Sequence, residues 1–177
     1  MPDTTATKKV VVTSTQLADI KKPDAGVQQA PQQRLIRGVA TDLCQSEAIS
    51  GALAVVPPLM STKFHLHPDI ETILFIIEGF GVTLVGPEME VVLHGPGEFV
   101  YIPKNTLHLG ANLSDKERIV ILEMRTDPNF DGVELHPEFE EAAAKTLKDL
   151  QEKFAAGTLE LPAHFADRDF SPYRFKA

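Results

Sequence analysis

Three histidines are the residues of this chain whose type and spacing could do chemistry together. His65-Leu66-His67 sets two imidazoles two residues apart. On a strand, residues i and i+2 face the same way, so both rings can reach one ion. His108 follows Pro103 and belongs to a separate strand end, approaching the same point from the opposite wall. Glu71 lies four residues beyond His67, where a turn through Pro68-Asp69 would return a carboxylate to that centre. Imidazoles with a carboxylate and open positions suit Fe(II), Mn(II), Ni(II), Co(II) or Zn(II), and the absence of thiolates argues against a closed structural zinc site. A His-x-His pair alone is better read as a solvated strand end; the distant third histidine is what favours a metal.

Alternation back from His65 selects Lys63 and Ser61 for the same face, although Lys63 also reads as a rim residue whose stem covers apolar surface. On the strand leading to Pro103, Phe99 and Tyr101 share one face. Tyr101 is a candidate proton donor or oxyanion-orienting hydroxyl, against the commoner case of an interior tyrosine with a satisfied hydroxyl. Phe75, with Ile73 and Ile77, suggests a mainly apolar cavity or equally an ordinary core. Lys63, Phe75 and Phe99 are thus the expected pocket residues. Glu123 and Arg125 end a strand; one of them facing inward would bind a substrate carboxylate, but a solvated strand end is the preferred reading. His94, in a Leu-His-Gly-Pro-Gly turn, is expected to be exposed, and His136 and His164 to lie outside the barrel.

These side chains need a scaffold of short strands. From Arg34 to about Met124, apolar runs (RLIRGVA, ISGALAVV, ILFII, VTLVG, MEVVL, EFVYI, RIVILEM) alternate with turn signals such as Gly79-Phe80-Gly81 and Gly95-Pro96-Gly97. Seven or more strands so closely spaced predict a barrel or sandwich, with no βαβ rhythm. Residues 1–33, rich in Thr, Lys, Gln and Pro, read as an extended arm that is partly mobile or packed on a partner subunit, with a β-branched patch at Val10 to Val12. Residues 34–127 form the barrel and 128–177 a C-terminal extension. Within the extension a helix is predicted over about 137–156, with Pro137 in its first turn, Gly157 at its stop, and Phe139, Ala143, Leu147, Leu150 and Phe154 along one face. The aromatic-rich residues after it are expected to dock.

Composition narrows the partners. With 177 residues, 43% of them hydrophobic, the chain suits one domain with tails. A formal charge of −8 offers no cationic footprint for nucleic acid or an anionic membrane. Cys44 is the lone cysteine, which rules out an intrachain disulfide and reads as a small hydrophobe more readily than as a nucleophile. Neither an apolar leader nor a membrane-length run is present, so a cytoplasmic location is expected.

The histidines also sit in a recognisable frame. The first motif of the cupin superfamily runs Gly, five residues, His-x-His, three or four residues, Glu, six residues, Gly; His65, His67, Glu71 and Gly79 follow it here. The second runs Gly, five residues, Pro-x-Gly, two residues, His, three residues, Asn, matched by Gly97, Pro103, Asn105, His108 and Asn112. Over about residues 35–125 the chain resembles a small single-domain cupin. The resemblance implies an all-β, double-stranded β-helix (jelly-roll) barrel and a metal held by His65, His67, Glu71 and His108. Three departures stand out. Asn105 replaces a Gly, but Asn tolerates positive φ best among the other residues. Leu59 stands where the first motif would begin with Gly. Seven residues rather than six separate Glu71 from Gly79, so the strict frame puts Thr72 at the ligand position, and a one-residue slip turns a strand side chain to the opposite face unless a bulge absorbs it. The expectation kept is Glu71, with a three-histidine site as the alternative.

The resemblance further implies a metal-dependent enzyme acting on a small molecule. With Fe(II), the first expectation, this is a dioxygenase-type oxidoreductase whose substrate chelates the metal, such as a diketone, enediol or thiol acid. With Zn, Mn, Ni or Co the expectation moves towards an isomerase or lyase in which Tyr101 or a metal-bound hydroxide moves a proton. A non-catalytic ligand-binding cupin is the rival from another class. A homodimer is the expected assembly.

Overall fold

The computed structural model describes residues 34–162 and Phe165. The expected N-terminal arm, His164 and most of the aromatic C-terminal tail lie outside the described residues. Phe165 itself is buried, its ring edge-on to Phe80 at 5.7 Å between centroids.

Two antiparallel five-stranded sheets face each other. The strands are β1 (Arg34–Val39), β2 (Ser50–Val56), β3 (His65–Leu66), β4 (Thr72–Glu78), β5 (Gly81–Val85), β6 (Glu90–His94), β7 (Phe99–Ile102), β8 (His108–Asn112), β9 (Ile119–Arg125) and β10 (Glu134–Leu135). The first sheet has the order β1-β2-β9-β4-β7 and the second β10-β3-β8-β5-β6. A one-turn helix, α1 (Thr41–Cys44), follows β1, and α2 (Glu140–Ala155) follows a 3-10 turn at Pro137–Phe139. Among the described residues no helix is long and apolar enough to cross a membrane.

Strict alternation builds the space between the sheets. In β9, Ile119, Ile121, Glu123 and Arg125 are buried while the residues between them are only partly so. Ala54, Val56, Ile76, Val100, Ile102, Ile119 and Ile121 form the apolar cluster between the sheets. The other side of the second sheet is apolar too: Phe64, Val82, Leu84, Leu109 and Ala111 pack against Ala143, Leu147 and Leu150 of α2. The molecule therefore has three layers, sheet, sheet and helix, and burying that second face follows from the apolar residues alternating with the cavity-facing ones.

The turns carry the backbone strain. Gly79 adopts φ 84°, and a Cβ there would lie 2.4 Å from the Arg118 carbonyl oxygen. Asn105 and Leu59, which replace motif glycines, have φ of 60° and 59°. Asn105 supports its own turn: its side-chain oxygen accepts from the Asp69 amide at 3.0 Å, and its amide donates to the His67 carbonyl at 3.1 Å. At the far end of β8, the fully buried Asn112 donates to the carbonyls of Val56, Pro57 and Glu117 and accepts from the Ser114 amide. These bonds fix the strands on either side of His108.

Candidate metal centre

β3 and β8 are neighbours with His65 directly opposite His108, and His67 leaves β3 on the side of His65. All three rings are buried, and one ring nitrogen from each lies within 4.8 Å of the others. The backbone dictates which nitrogen that is. Nδ1 of His65 donates to the Lys63 carbonyl at 2.7 Å, Nδ1 of His108 to the Thr106 carbonyl at 2.9 Å, and Nδ1 of His67 to the Gly132 carbonyl at 3.2 Å. A neutral imidazole that donates from Nδ1 keeps an acceptor lone pair on Nε2. The Nε2 atoms of His65 and His67 stand 3.2 Å apart. Two lone pairs at that separation repel unless a cation or proton lies between them. Two nitrogens bound to one ion at about 2.0–2.1 Å would themselves be about 2.9–3.4 Å apart, so the spacing of this pair fits a shared metal.

Burial holds these rings neutral. It pushes His67 down to about 2, helped by the Arg125 charge and the two neighbouring histidines, and His108 down to about 3, helped by His65. His65 is lowered as well, chiefly by the same desolvation. A neutral ring is the form that ligates metal.

Glu71 does not join them. Its side chain is exposed on the outside of the first sheet, where the Tyr101 hydroxyl donates to it at 2.9 Å. Thr72 takes the inward position instead, 1% exposed and lining the cavity. β4 does contain a bulge, between Ile76 and Glu78. It sits at the Gly79 end, so alternation from Thr72 through Leu74 to Ile76 is undisturbed and Glu71 stays out.

The same parity corrects the expected pocket. Phe99 and Tyr101 do share a face, but it is the outer one, where they are 69% and 57% exposed and Phe99 packs on Phe75 at 4.7 Å. Hydrogen bonding to Glu71 raises the Tyr101 hydroxyl above its usual value, which suits a surface pair. Lys63 is exposed and contributes its carbonyl to His65 rather than its ammonium to the cavity; Thr62 lines the wall in its place. His94, expected in an exposed turn, is buried in the cavity wall with Nε2 3.1 Å from the Thr83 hydroxyl, and burial lowers it to about 4. It stands apart from the three-histidine cluster. His136 lies outside it too, against Glu138 at 2.9 Å.

Glu123 and Arg125, expected at a solvated strand end, are the charged residues of the cavity. Their side chains are 8% and 6% exposed, with Arg125 Nη2 2.6 Å and Nε 2.7 Å from one Glu123 oxygen. The Arg125 guanidinium lies 4.8 Å from the centre of the Phe130 ring. The signal for them was the continuation of the Ile119-Ile121 row by two opposite charges at i+2, which can neutralise each other when buried. The rest of the wall is apolar, from Ala54, Val56, Leu74, Ile102, Ile119 and Ile121. The free volume is about 50 Å3.

Comparison with known proteins agrees with this architecture. The cupin domain family model matches residues 52–124. Among solved structures, oxalate decarboxylase from Bacillus subtilis superposes with a TM-score of 0.56 at 21% identity over 86% of this chain and 37% of that one. A conserved double-stranded β-helix protein from Klebsiella pneumoniae subsp. pneumoniae gives 0.51 at 16% identity over 72% and 97%. The formate complex of Lactobacillus farciminis oxalate decarboxylase gives 0.51 at 18% over 60% and 31%. The chain therefore spans about a third of the length of the two decarboxylases, and at these identities the likeness concerns the fold. No curated protein matches the sequence.

Proposed function

We propose that this chain, a small cupin by its family match and its two-sheet barrel, is a metal-dependent enzyme acting on a small molecule, with His65, His67 and His108 as ligands. The observation that carries the reading is the trio of Nδ1–carbonyl bonds, which aim three neutral Nε2 atoms at one point. A bound ion, Fe(II) foremost with Mn, Ni, Zn or Co as alternatives, supplies a Lewis acid with open positions and, as Fe(II), a site for dioxygen chemistry. The carbonyls of Lys63, Thr106 and Gly132 hold the ring orientations, as hydrogen-bonded partners of ligating histidines do. Val56, Ile102, Ile119 and Ile121 exclude water from the far side of the cavity.

A dioxygenase-type oxidoreductase with a chelating substrate is the reaction class we favour, because a three-histidine site without Glu71 leaves more positions for a two-point ligand and dioxygen. The isomerase or lyase reading loses one of the two proton carriers it had, since Tyr101 lies on the outer surface. A homodimer and a cytoplasmic setting belong to the same proposal. The apolar side chains on the outer face of the first sheet, Ile73 and Phe99 among them, support the former; a reducing compartment that keeps iron ferrous suits the latter.

The test is to purify the chain without a histidine tag, measure its metal by elemental analysis, and follow oxygen uptake with diketone, enediol and thiol-acid substrates. We expect about one ion per chain, as one three-ligand site implies, and its loss in His65→Ala and His108→Ala. Stoichiometric metal that persists in both variants would overturn the ligand assignment. No turnover with Fe(II), Mn(II), Ni(II) or Zn(II) would leave a ligand-binding protein.

A further inference from the structure

Three polar atoms in the cavity wall are buried without a partner, one of them Nδ1 of His94; the other two are Nη1 of Arg125 and Oγ1 of Thr72. These two belong to residues directly opposite each other on β9 and β4, and both residues line the cavity that contains the three histidines. A buried donor left unpaired is costly, so native structures rarely keep one unless a ligand or water completes it. Arg125 is also held in place. Glu123 takes Nε and Nη2, and Phe130 covers the guanidinium face. What remains for a ligand is Nη1, on the residue directly opposite Thr72.

We propose that this corner is an anion subsite that grips a carboxylate of the substrate, with Arg125 Nη1 and Thr72 Oγ1 as the two donors. The inference rests on the metal reading above only for what holds the other end of the molecule. Charge points the same way. Glu123 is already committed to Arg125, and Glu71 is outside, so three neutral imidazoles around a divalent ion leave the cavity positive and selective for an anion. The small free volume limits the substrate to an acid of a few heavy atoms. Thr72 thus has a role at the position the motif frame reserves for a carboxylate ligand: it donates to the substrate's negative charge instead of adding one of its own.

The experiment is calorimetric titration of the protein with malonate and with the neutral malonamide, once loaded with Mn(II) and once after chelator treatment, with metal content measured alongside. Malonate should bind and malonamide should not. Thr72→Val, which keeps shape and leaves the ion pair intact, should weaken malonate about three- to tenfold, the loss expected for one hydrogen bond to a charged group. Arg125→Gln should abolish detectable binding, and its metal content should match that of the parent. Because Arg125→Gln leaves Glu123 buried alone, Glu123→Gln is the companion variant. It frees Arg125 from its counter-charge and should tighten malonate, whereas a merely structural pair predicts no gain.

Equal binding of malonate and malonamide, or unchanged malonate affinity in Thr72→Val and Arg125→Gln, overturns the subsite. If the metal never binds but the chelated protein still takes malonate through Arg125, the subsite stands and the metal reading falls. Stoichiometric metal with no malonate binding gives the reverse.

Discussion

Each of the three central histidines is kept neutral by burial, and this has a sign that can be measured. His67, His108 and His94 protonate near 2, 3 and 4 in the folded chain, against about 6.5 when unfolded. Below about 6.5 the unfolded chain therefore takes up protons that the folded chain refuses, so stability is full above that pH and falls as the solution is acidified towards the folded values. Each such ring contributes a slope of up to about 1.4 kcal/mol per pH unit in that window. Metal-free protein should consequently lose several kcal/mol between pH 7 and pH 5. Thermal unfolding in chelator across that range is the check; a flat Tm would mean that the rings are solvated and the cavity is open. A metal bound to the neutral rings adds to the folded side, and because the folded rings stay neutral down to those low values, excess Mn(II) should raise Tm at both ends of the range.

At the scale of strands and turns, the motif glycines mark where backbone approach is tightest. Gly79→Ala would place a Cβ against the Arg118 carbonyl in a left-handed conformation and should cost about 2 kcal/mol or more. Asn105→Gly keeps the required φ but loses the bond to the Asp69 amide, and should cost about 1 kcal/mol. Urea denaturation of the two variants should reproduce that order, and the reverse order would show that the Gly79 turn can shift. The same local rules explain what was legible beforehand. His65, His67 and His108 could be read because a fixed turn frame spaces them, and the two-sheet fold because short apolar runs recur between turns. The facing of β4 and β7 was hidden for a physical reason: Ile73, Leu74, Phe75, Ile76 and Ile77 are all apolar, and alternation carries no information when both faces of a strand are apolar. That blank pattern points Phe75, Phe99 and Tyr101 into the cavity, and the sheet turns them out. Glu123 and Arg125 failed in the opposite sense. Their charges suggested solvent, whereas their parity with Ile119 and Ile121 carried the answer.

At the scale of the whole molecule, the segment after the barrel belongs to the site as well as to the fold. β10 pairs with β3 beside His65, and the nearby Gly132 carbonyl is the acceptor that orients His67. α2 closes the outer face of the same sheet through Ala143, Leu147 and Leu150, and Gln151 of that helix reaches the carbonyl of Asn112 at 2.9 Å. Truncating Leu147 and Leu150 one at a time tests whether this layer supports the centre. Each change to Ala should cost about 2–4 kcal/mol, because the cavity left at a packed interface adds to the lost burial. Neither side chain lines the metal cavity, so each variant should retain its metal at low temperature and lose it at a lower temperature than the parent, in step with its unfolding. Metal release that precedes unfolding, seen by comparing a chelating dye with circular dichroism on one heating ramp, would show that α2 positions β3 and β8 directly. Coincident transitions would show that the two sheets hold His65, His67 and His108 by themselves, with the helix serving only to bury Val82, Leu84 and Leu109.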